Sequence, residues 1–182
     1  MKYNIIYADP PWSISTTAQI PSGRPNSRPY AAMRQIDIYD IDVKNLADTN
    51  CCLFLWATSP LIPEAIFTMK KWGFEFKCVA FTWIKKNKIA DTNFWGMGWW
   101  TRSNPEFCLL GVKGSPKRIA KNIHSVVESK IQQHSKKPNE VRDKIVQLCG
   151  DKPRIELFAR ERYAGWDVWG NQVDSDIEIS SL

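Results

Sequence analysis

The chain has 182 residues, which fits one domain with a sizeable core, since about 70% of the unfolded surface can be buried at this length. Its 43% hydrophobic and 24% charged residues exclude a disordered or fibrous chain. No apolar run approaches the roughly 20 residues that cross a bilayer, while the net charge of +6 favours a polyanionic partner. We therefore expect one cytoplasmic domain over residues 1–182, without a membrane partner and with an acidic tail that frays from about residue 174.

Seven short apolar runs predict strands that alternate with helical patterns. The runs cover residues 3–8, 51–58, 76–84, 107–112, 125–127, 155–159 and 166–169. Helices are predicted over 60–72 and 138–149, because each of these stretches opens with a proline and is followed by a glycine. Such alternation is typical of a doubly wound α/β fold, with about seven strands in a mostly parallel sheet and helices on both faces.

The first predicted strand ends at the motif Asp9-Pro10-Pro11-Trp12. Ligands of open parallel sheets bind beyond the carboxyl ends of the strands, where this motif would lie. Prolines have no backbone donor, so the Asp9 carboxylate and nearby carbonyls would form an acceptor-only pocket beside the Trp12 ring. Such a pocket suits the amino group of adenine: binding both amino protons would localise the nitrogen lone pair and aim it at an electrophile, without a metal. The alternative is a capped turn after a strand.

Two loop-like stretches, residues 13–30 and 85–104, are candidates for binding loops. The first carries Arg24 and Arg28 and has a basic character. The second interleaves cations with aromatic rings, as sites for single strands or extruded bases do. Its relevant residues are Lys85, Lys86, Lys88, Trp95, Trp99, Trp100 and Arg102. The alternatives are a solvated basic surface and tryptophans that pack in the core.

The five cysteines show no paired spacing and indicate reduced, buried thiols rather than disulfides. Cys51 and Cys52 are adjacent and would point to opposite faces of a strand. The chain has two histidines, His124 and His134, so we expect no metal site.

The motif at Asp9 and five longer segments resemble one protein family, in the family's order from end to end. The segments read RPYAAM (28–33), LFLWATS (53–59), NPEFCLLGVKGSP (104–116), HSKKPNEV (134–141) and RIELFARERYAGWDVWGNQ (154–172). They are similar to the adenine-N(6) methyltransferases related to the eukaryotic messenger-RNA adenosine methylase, the MT-A70 family, and the compact core resembles its bacterial and phage branch. The resemblance implies a Rossmann-like fold that uses S-adenosylmethionine, with the catalytic motif preceding the cofactor-binding strand.

The resemblance also implies roles for individual residues. The catalytic residues would be Asp9, Pro10, Pro11 and Trp12. Lys137 would pair with the methionine carboxylate of the cofactor. The residues expected to bind the cofactor are Asp9, Lys137, Glu156, Phe158, Arg160, Asn171 and Gln172. Glu156 has an alternative role as half of a structural ion pair.

The expected substrate is nucleic acid, with DNA favoured over RNA. In the family, the loop that holds Tyr30 closes over the target base. The residues expected to bind the substrate are Tyr30, Lys85, Trp99, Trp100 and Arg102. The resemblance therefore predicts methyl transfer to adenine in DNA. The alternatives are an RNA adenine methyltransferase and an inactive nucleic-acid-binding subunit. A homodimer or a second subunit would assist target recognition.

Overall fold

The computed structural model describes residues 1–13, 32–98, 100–132 and 136–179. Within these residues, strands and helices alternate as the sequence predicts. In chain order they are β1 (Tyr3–Ala8), α1 (Gln35–Tyr39), β2 (Ala47–Thr58), α2 (Ile62–Lys71), β3 (Glu75–Lys86), β4 (Glu106–Lys113), β5 (Val126–Lys130), α3 (Glu140–Cys149), β6 (Arg154–Leu157) and β7 (Asp167–Trp169), with short 3-10 turns at Val43–Asn45 and Ser59–Leu61.

The strands form one seven-stranded sheet in the order β5-β3-β4-β2-β1-β6-β7. β4 runs antiparallel to β2 and β3, and the other pairings are parallel. β1 is central: Ile6 pairs with Leu53 on one side and with Ile155 on the other. The predicted mostly parallel α/β fold is confirmed, and the segment after β1 opens near the middle of the sheet's carboxyl edge.

Alternating side chains of the central strands form two cores, one on each face of the sheet. Ile6 and Leu55 belong to the core that packs against α1 and α2. Tyr7 and Trp56 point to the opposite face and join a core with Ile145 of α3. Helices therefore cover both faces, as expected. None of the helices in the described part of the chain has the length and apolar character to cross a membrane.

One cysteine lies in an environment that the sequence does not predict. Cys51, Cys108 and Cys149 are buried and Cys52 is half-buried, but Cys78 is exposed. The prediction of burial is wrong at Cys78 because the first half of β3 is largely open to solvent. All five thiols are free.

The acidic tail docks on the sheet as far as the structure describes it. The Asp176 backbone N–H donates to the Val168 carbonyl at 2.9 Å, and the Asp176 carboxylate accepts from the Val168 N–H at 2.8 Å. Arg162 pairs with the same carboxylate at 2.9 Å. Ile177 and Ile179 pack against the core beside α1 and α2. Residues 174–179 therefore cover the β7 side of the molecule instead of fraying.

Candidate active site

The turn after β1 brings Asp9 to the carboxyl edge of the sheet, beside the ends of β6 and β7. These segments enclose a pocket of about 340 Å³. Its lining combines a carboxylate, a guanidinium group, two carboxamides and several apolar surfaces: Asp9, Pro11, Ala32, Met33, Phe158, Arg160, Trp169, Gly170, Asn171 and Gln172. The pocket lies at the edge where parallel sheets generally bind ligands, as predicted for the Asp9 motif.

Hydrogen bonds of Trp12 and Pro11 fix the turn. The Trp12 indole N–H donates to the Trp56 carbonyl at 2.9 Å, and the Trp12 backbone N–H donates to the Pro10 carbonyl at 2.8 Å. The Pro11 carbonyl accepts from the Met33 N–H at 2.9 Å. Trp12 is 9% exposed and belongs to the hydrophobic core. In the structure it anchors the turn, and its stacking on a substrate ring stays a prediction.

Asp9 is the first of four largely buried charged groups that form a row in space, each in contact with the next. The Lys137 ammonium lies 2.7 Å from one Asp9 oxygen and 3.1 Å from a Glu106 oxygen. The other Glu106 oxygen lies 2.5 Å from the Lys85 ammonium. Lys137 also lies 5.5 Å from the Trp56 ring centroid. Positive and negative groups alternate along this row, which reduces the free-energy penalty of burying them.

The row has a defined protonation pattern. Burial raises the pKa of Asp9 above its ordinary value, although the Lys137 ammonium opposes the shift. Burial alone would lower the pKa of Lys137, but the Asp9 and Glu106 carboxylates raise it. Burial also acts against ionised Glu106, yet Lys137 and Lys85 together lower its pKa. Lys137 therefore stays charged, and Asp9 is the carboxylate of the row that most readily accepts a proton.

A second buried ion pair joins α3 to β6. Arg142 of α3 binds both oxygens of Glu156 on β6, at 2.7 and 2.6 Å. The guanidinium carbon of Arg142 lies 5.3 Å from the Tyr7 ring centroid and 5.1 Å from that of Tyr163. Burial raises the pKa of Glu156, and Arg142 opposes the shift. The structure thus shows the ion pair that the sequence left as the alternative for Glu156.

A strained residue and a glycine shape the wall opposite Asp9. Phe158 has a φ of 62°, in the left-handed region that an aromatic residue rarely adopts. Its ring meets the Trp169 ring edge-on, with centroids 5.4 Å apart. A Cβ at Gly170 would lie 2.3 Å from the Ala159 carbonyl oxygen, so the segments after β6 and β7 approach this closely only with glycine.

Comparison with known proteins decides the family. The family model described as MT-A70 matches residues 3–172. The chain belongs to the MT-A70 family. The resemblance is thereby confirmed, and with it the class of enzyme, an adenine methyltransferase.

This chain matches different fractions of the length of its relatives. It is 33% identical to the Type II methyltransferase M.MunI of Mycoplasma sp, over 98% of this chain and 81% of that protein. It is 28% identical to an N(6)-adenosine-methyltransferase MT-A70-like protein of Arabidopsis thaliana, over 94% of this chain and 24% of that protein. The catalytic subunit METTL3 of Homo sapiens is also 28% identical, over 95% of this chain and 28% of its own length. The chain therefore spans about a quarter of these eukaryotic relatives.

The structure gathers most of the cofactor-binding residues predicted from the MT-A70 resemblance. Five of them line the pocket: Asp9, Phe158, Arg160, Asn171 and Gln172. Lys137 lies behind Asp9, and Glu156 pairs with Arg142. Their contacts with the cofactor stay predictions.

The predicted substrate residues are less concentrated. Lys85, the last residue but one of β3, belongs to the charged row; Trp100 is 99% exposed, and the Arg102 guanidinium contacts the Met97 sulfur. Tyr30 and Trp99 lie outside the described residues.

Two residues of the site were missed by sequence reasoning, Glu106 and Arg142. Glu106 opens a largely apolar strand and is 8% exposed, and a charged residue at such a position was the available signal. Arg142 had no comparable signal, because its helix also carries other charged residues.

Proposed function

We propose that this protein transfers a methyl group from S-adenosylmethionine to the exocyclic amino group of adenine in DNA. The position of Asp9 carries the proposal. Its carboxylate forms part of the pocket wall and also receives the buried Lys137 ammonium at 2.7 Å. Asp9 is thus held in place at the edge of a cavity that suits a small molecule, with a proton affinity raised by burial.

The pocket has the chemistry that S-adenosylmethionine requires. Phe158 and Trp169 supply aromatic surface, and the carboxamides of Asn171 and Gln172 offer donors and acceptors to a nucleoside. Arg160 lies in the same lining and suits the ribose or the carboxylate. When bound, the cofactor would supply an electrophilic methyl group. We expect the Lys137 ammonium to reach the carboxylate of the cofactor only if it shares or exchanges its present partners, Asp9 and Glu106.

The role of Asp9 follows from the weak nucleophilicity of the adenine amino group, whose lone pair is delocalised into the ring. An Asp9 oxygen would accept a hydrogen bond from an amino N–H and so favour a localised lone pair. After methyl transfer the amino nitrogen must lose a proton, and the raised pKa of Asp9 makes its carboxylate a suitable acceptor. Lys137 would remain an ammonium group and hold the Asp9 carboxylate in orientation.

DNA is favoured as the substrate because, among the three relatives named above, the Type II methyltransferase matches at 33% identity and the two named for adenosine methylation at 28%. The loop between β3 and β4 offers exposed Trp95 and Trp100 beside Lys88 and Arg102 at the same edge of the sheet as Asp9. These groups suit stacking with bases and contact with phosphates. Sequence preference would come from the loops, a second copy or a second subunit, and we expect the protein to act in the cytoplasm.

The decisive experiment is transfer of labelled methyl from S-adenosylmethionine to duplex DNA, single-stranded DNA and RNA of matched sequence. We expect DNA to be the best acceptor, with the label in N6-methyladenine. Asp9→Asn should lower turnover by ~100- to 1000-fold, as loss of one preorganised polar group does. Asp151→Asn, with a side chain 88% exposed at the opposite edge, is the matched control and should remain active.

Two results would count against the proposal. Activity of Asp9→Asn close to that of the unmodified protein would remove Asp9 from the chemistry. A clear preference for RNA would favour the adenosine-methylating branch of the family. Thermal unfolding and calorimetry with S-adenosylhomocysteine would show whether each variant is folded and still binds the cofactor.

A further inference from the structure

A second pocket, of about 370 Å³, lies at the edge of the sheet opposite to Asp9. At this edge β1, β2 and β6 begin and β4 ends. The pocket is lined by Asn4, Asn50, Cys52, Ser115, Pro116, Lys117, Cys149 and Lys152. It shares no lining residue with the candidate active site.

Hydrogen bonds hold the wall of this pocket in place. The Asn4 carboxamide donates to the Asn50 carbonyl at 3.1 Å, and the Asn50 side-chain oxygen accepts from the Ser115 N–H at 2.7 Å. Gly114 has a φ of 67°, and a Cβ there would lie 2.1 Å from the Thr49 carbonyl oxygen. The turn after β4 therefore depends on glycine to bring Ser115 and the following residues over the pocket.

The pocket is electropositive. Lys117 and Lys152 are in its lining, which includes no acidic residue among those described. In the described parts of the chain, neither lysine forms an ion pair with a carboxylate. A hydrogen bond from Cys149 lowers the pKa of the Cys52 thiol; burial opposes this shift, and the positive charge of Lys152 adds to it. The exposed cation Arg118 follows directly in the chain.

We propose that this pocket binds a phosphate group. Two ammonium groups supply charge-assisted donors, and the Asn4 carboxamide and Ser115 hydroxyl add neutral polar groups. The phosphate belongs either to a free nucleotide or to a nucleic-acid backbone, which present the same chemistry. The proposal does not depend on the methyl transfer proposed above, because it concerns the other edge of the sheet.

Cys52 provides a reporter inside the pocket. Its alkylation by iodoacetamide, which is neutral, can be followed by mass spectrometry at constant ionic strength, with exposed Cys78 as the internal control. Inorganic phosphate, a nucleoside triphosphate and duplex DNA are added in separate arms. We expect phosphate and at least one of the larger ligands to slow the reaction of Cys52 but not of Cys78. Protection by the triphosphate alone would identify a free nucleotide, and protection by DNA would identify the backbone.

The double variant Lys117→Gln/Lys152→Gln tests the cause of the protection. We expect it to need roughly tenfold more ligand for the same fractional protection, because both charge-assisted contacts are lost. Lys70→Gln/Lys71→Gln removes the same charge from the surface of α2 and should behave as the unmodified protein. Absence of protection in every arm, or equal protection in the pocket variant, would overturn the proposal. Cofactor affinity and thermal unfolding, measured on each variant, separate this result from misfolding and from failure of the active-site proposal.

Discussion

At the scale of single residues, the site depends on the partners of one lysine. Lys137 is 6% exposed and balances two carboxylates that are themselves largely buried. The two partners shift in the same direction, since the pKa values of Asp9 and Lys137 are both raised. The reason is that burial, helped by the like charge of Glu106, outweighs the cations near Asp9, whereas the two carboxylates facing Lys137 outweigh its burial. The side chain expected to bind the cofactor carboxylate is therefore also one on which the stability of the buried row depends.

We predict that Lys137→Met destabilises the fold by ~3–5 kcal/mol at pH 8, because Asp9 loses its ammonium partner and Glu106 keeps only Lys85. Without the ammonium, the pKa values of Asp9 and Glu106 rise in the folded state. A raised carboxyl pKa contributes stability at low pH that is lost as pH rises through it, so the variant should recover towards the unmodified protein at pH 5. Denaturant unfolding at both pH values measures this difference.

The same variant tests the cofactor assignment. Calorimetry with S-adenosylhomocysteine at pH 5, where the fold should recover, is expected to show weaker binding because the predicted partner of the methionine carboxylate is lost. Lys136→Met is the neighbouring control: its pair with Glu161 is part-exposed and should contribute less than ~1 kcal/mol. Unchanged cofactor affinity in Lys137→Met would contradict the role that the family resemblance gives to this lysine.

At the scale of elements, the loop between β3 and β4 is fixed at its base by one buried side chain. Asn104 is 5% exposed; its side-chain oxygen accepts from the Lys85 N–H at 3.0 Å, and its amide donates to the Lys85 carbonyl at 2.9 Å and to the Phe94 carbonyl. Because Lys85 also pairs with Glu106, the loop and the charged row share an attachment point.

We predict that Asn104→Ala releases the loop. The KM for nucleic acid should rise and the amide protons of residues 93–98 should exchange faster, because three hydrogen bonds at the loop base are lost. Affinity for S-adenosylhomocysteine should change little, since Asn104 is not in the lining of the pocket at Asp9. Asn122→Ala, in the exposed loop after β4, is the control. Equal exchange rates in the two variants would show that Asn104 does not hold the loop.

The elements also show what the sequence could predict. Periodicity found all seven strands, since each has an apolar run of its own, and the rule for parallel sheets placed Asp9 at a ligand-binding edge. Neither could predict the row of charged side chains at Asp9. Asp9 and Lys137 are 128 positions apart in the chain, and only the tertiary fold brings them into contact. The docking of the tail was missed for a similar reason: Asp176 looked like part of a solvated acidic run, and its partner Arg162 had no assigned role.

At the scale of the whole molecule, the 25 Lys and Arg overstate the number of cations available to a polyanion. Residues 113–144 hold nine Lys and Arg against three acids, but Lys137 and Arg142 are buried in ion pairs and Lys113 donates to two main-chain carbonyls. In the second loop-like stretch, residues 85–104, Lys85 and Lys86 likewise pair with carboxylates. Arg24 and Arg28 lie outside the described residues. The exposed cations of the second loop that remain for phosphates are Lys88 and Arg102.

We predict that Lys88→Gln/Arg102→Gln weakens DNA binding on all sequences and flattens its dependence on salt. Each phosphate contact contributes a slope of about 0.9 in log affinity against log salt on duplex DNA, or about 0.7 on single strands, so two lost contacts should lower the slope by about 1.4–1.8. Trp100→Ala should instead lower turnover with little change of slope, because stacking on a base releases no counterions. Fluorescence anisotropy over a salt series measures both, with Lys70→Gln/Lys71→Gln as the charge-matched control on α2. An unchanged slope in the Lys88→Gln/Arg102→Gln variant would show that this loop is not part of the DNA interface. Binding that does not depend on salt in the unmodified protein would show that the partner is not a polyanion.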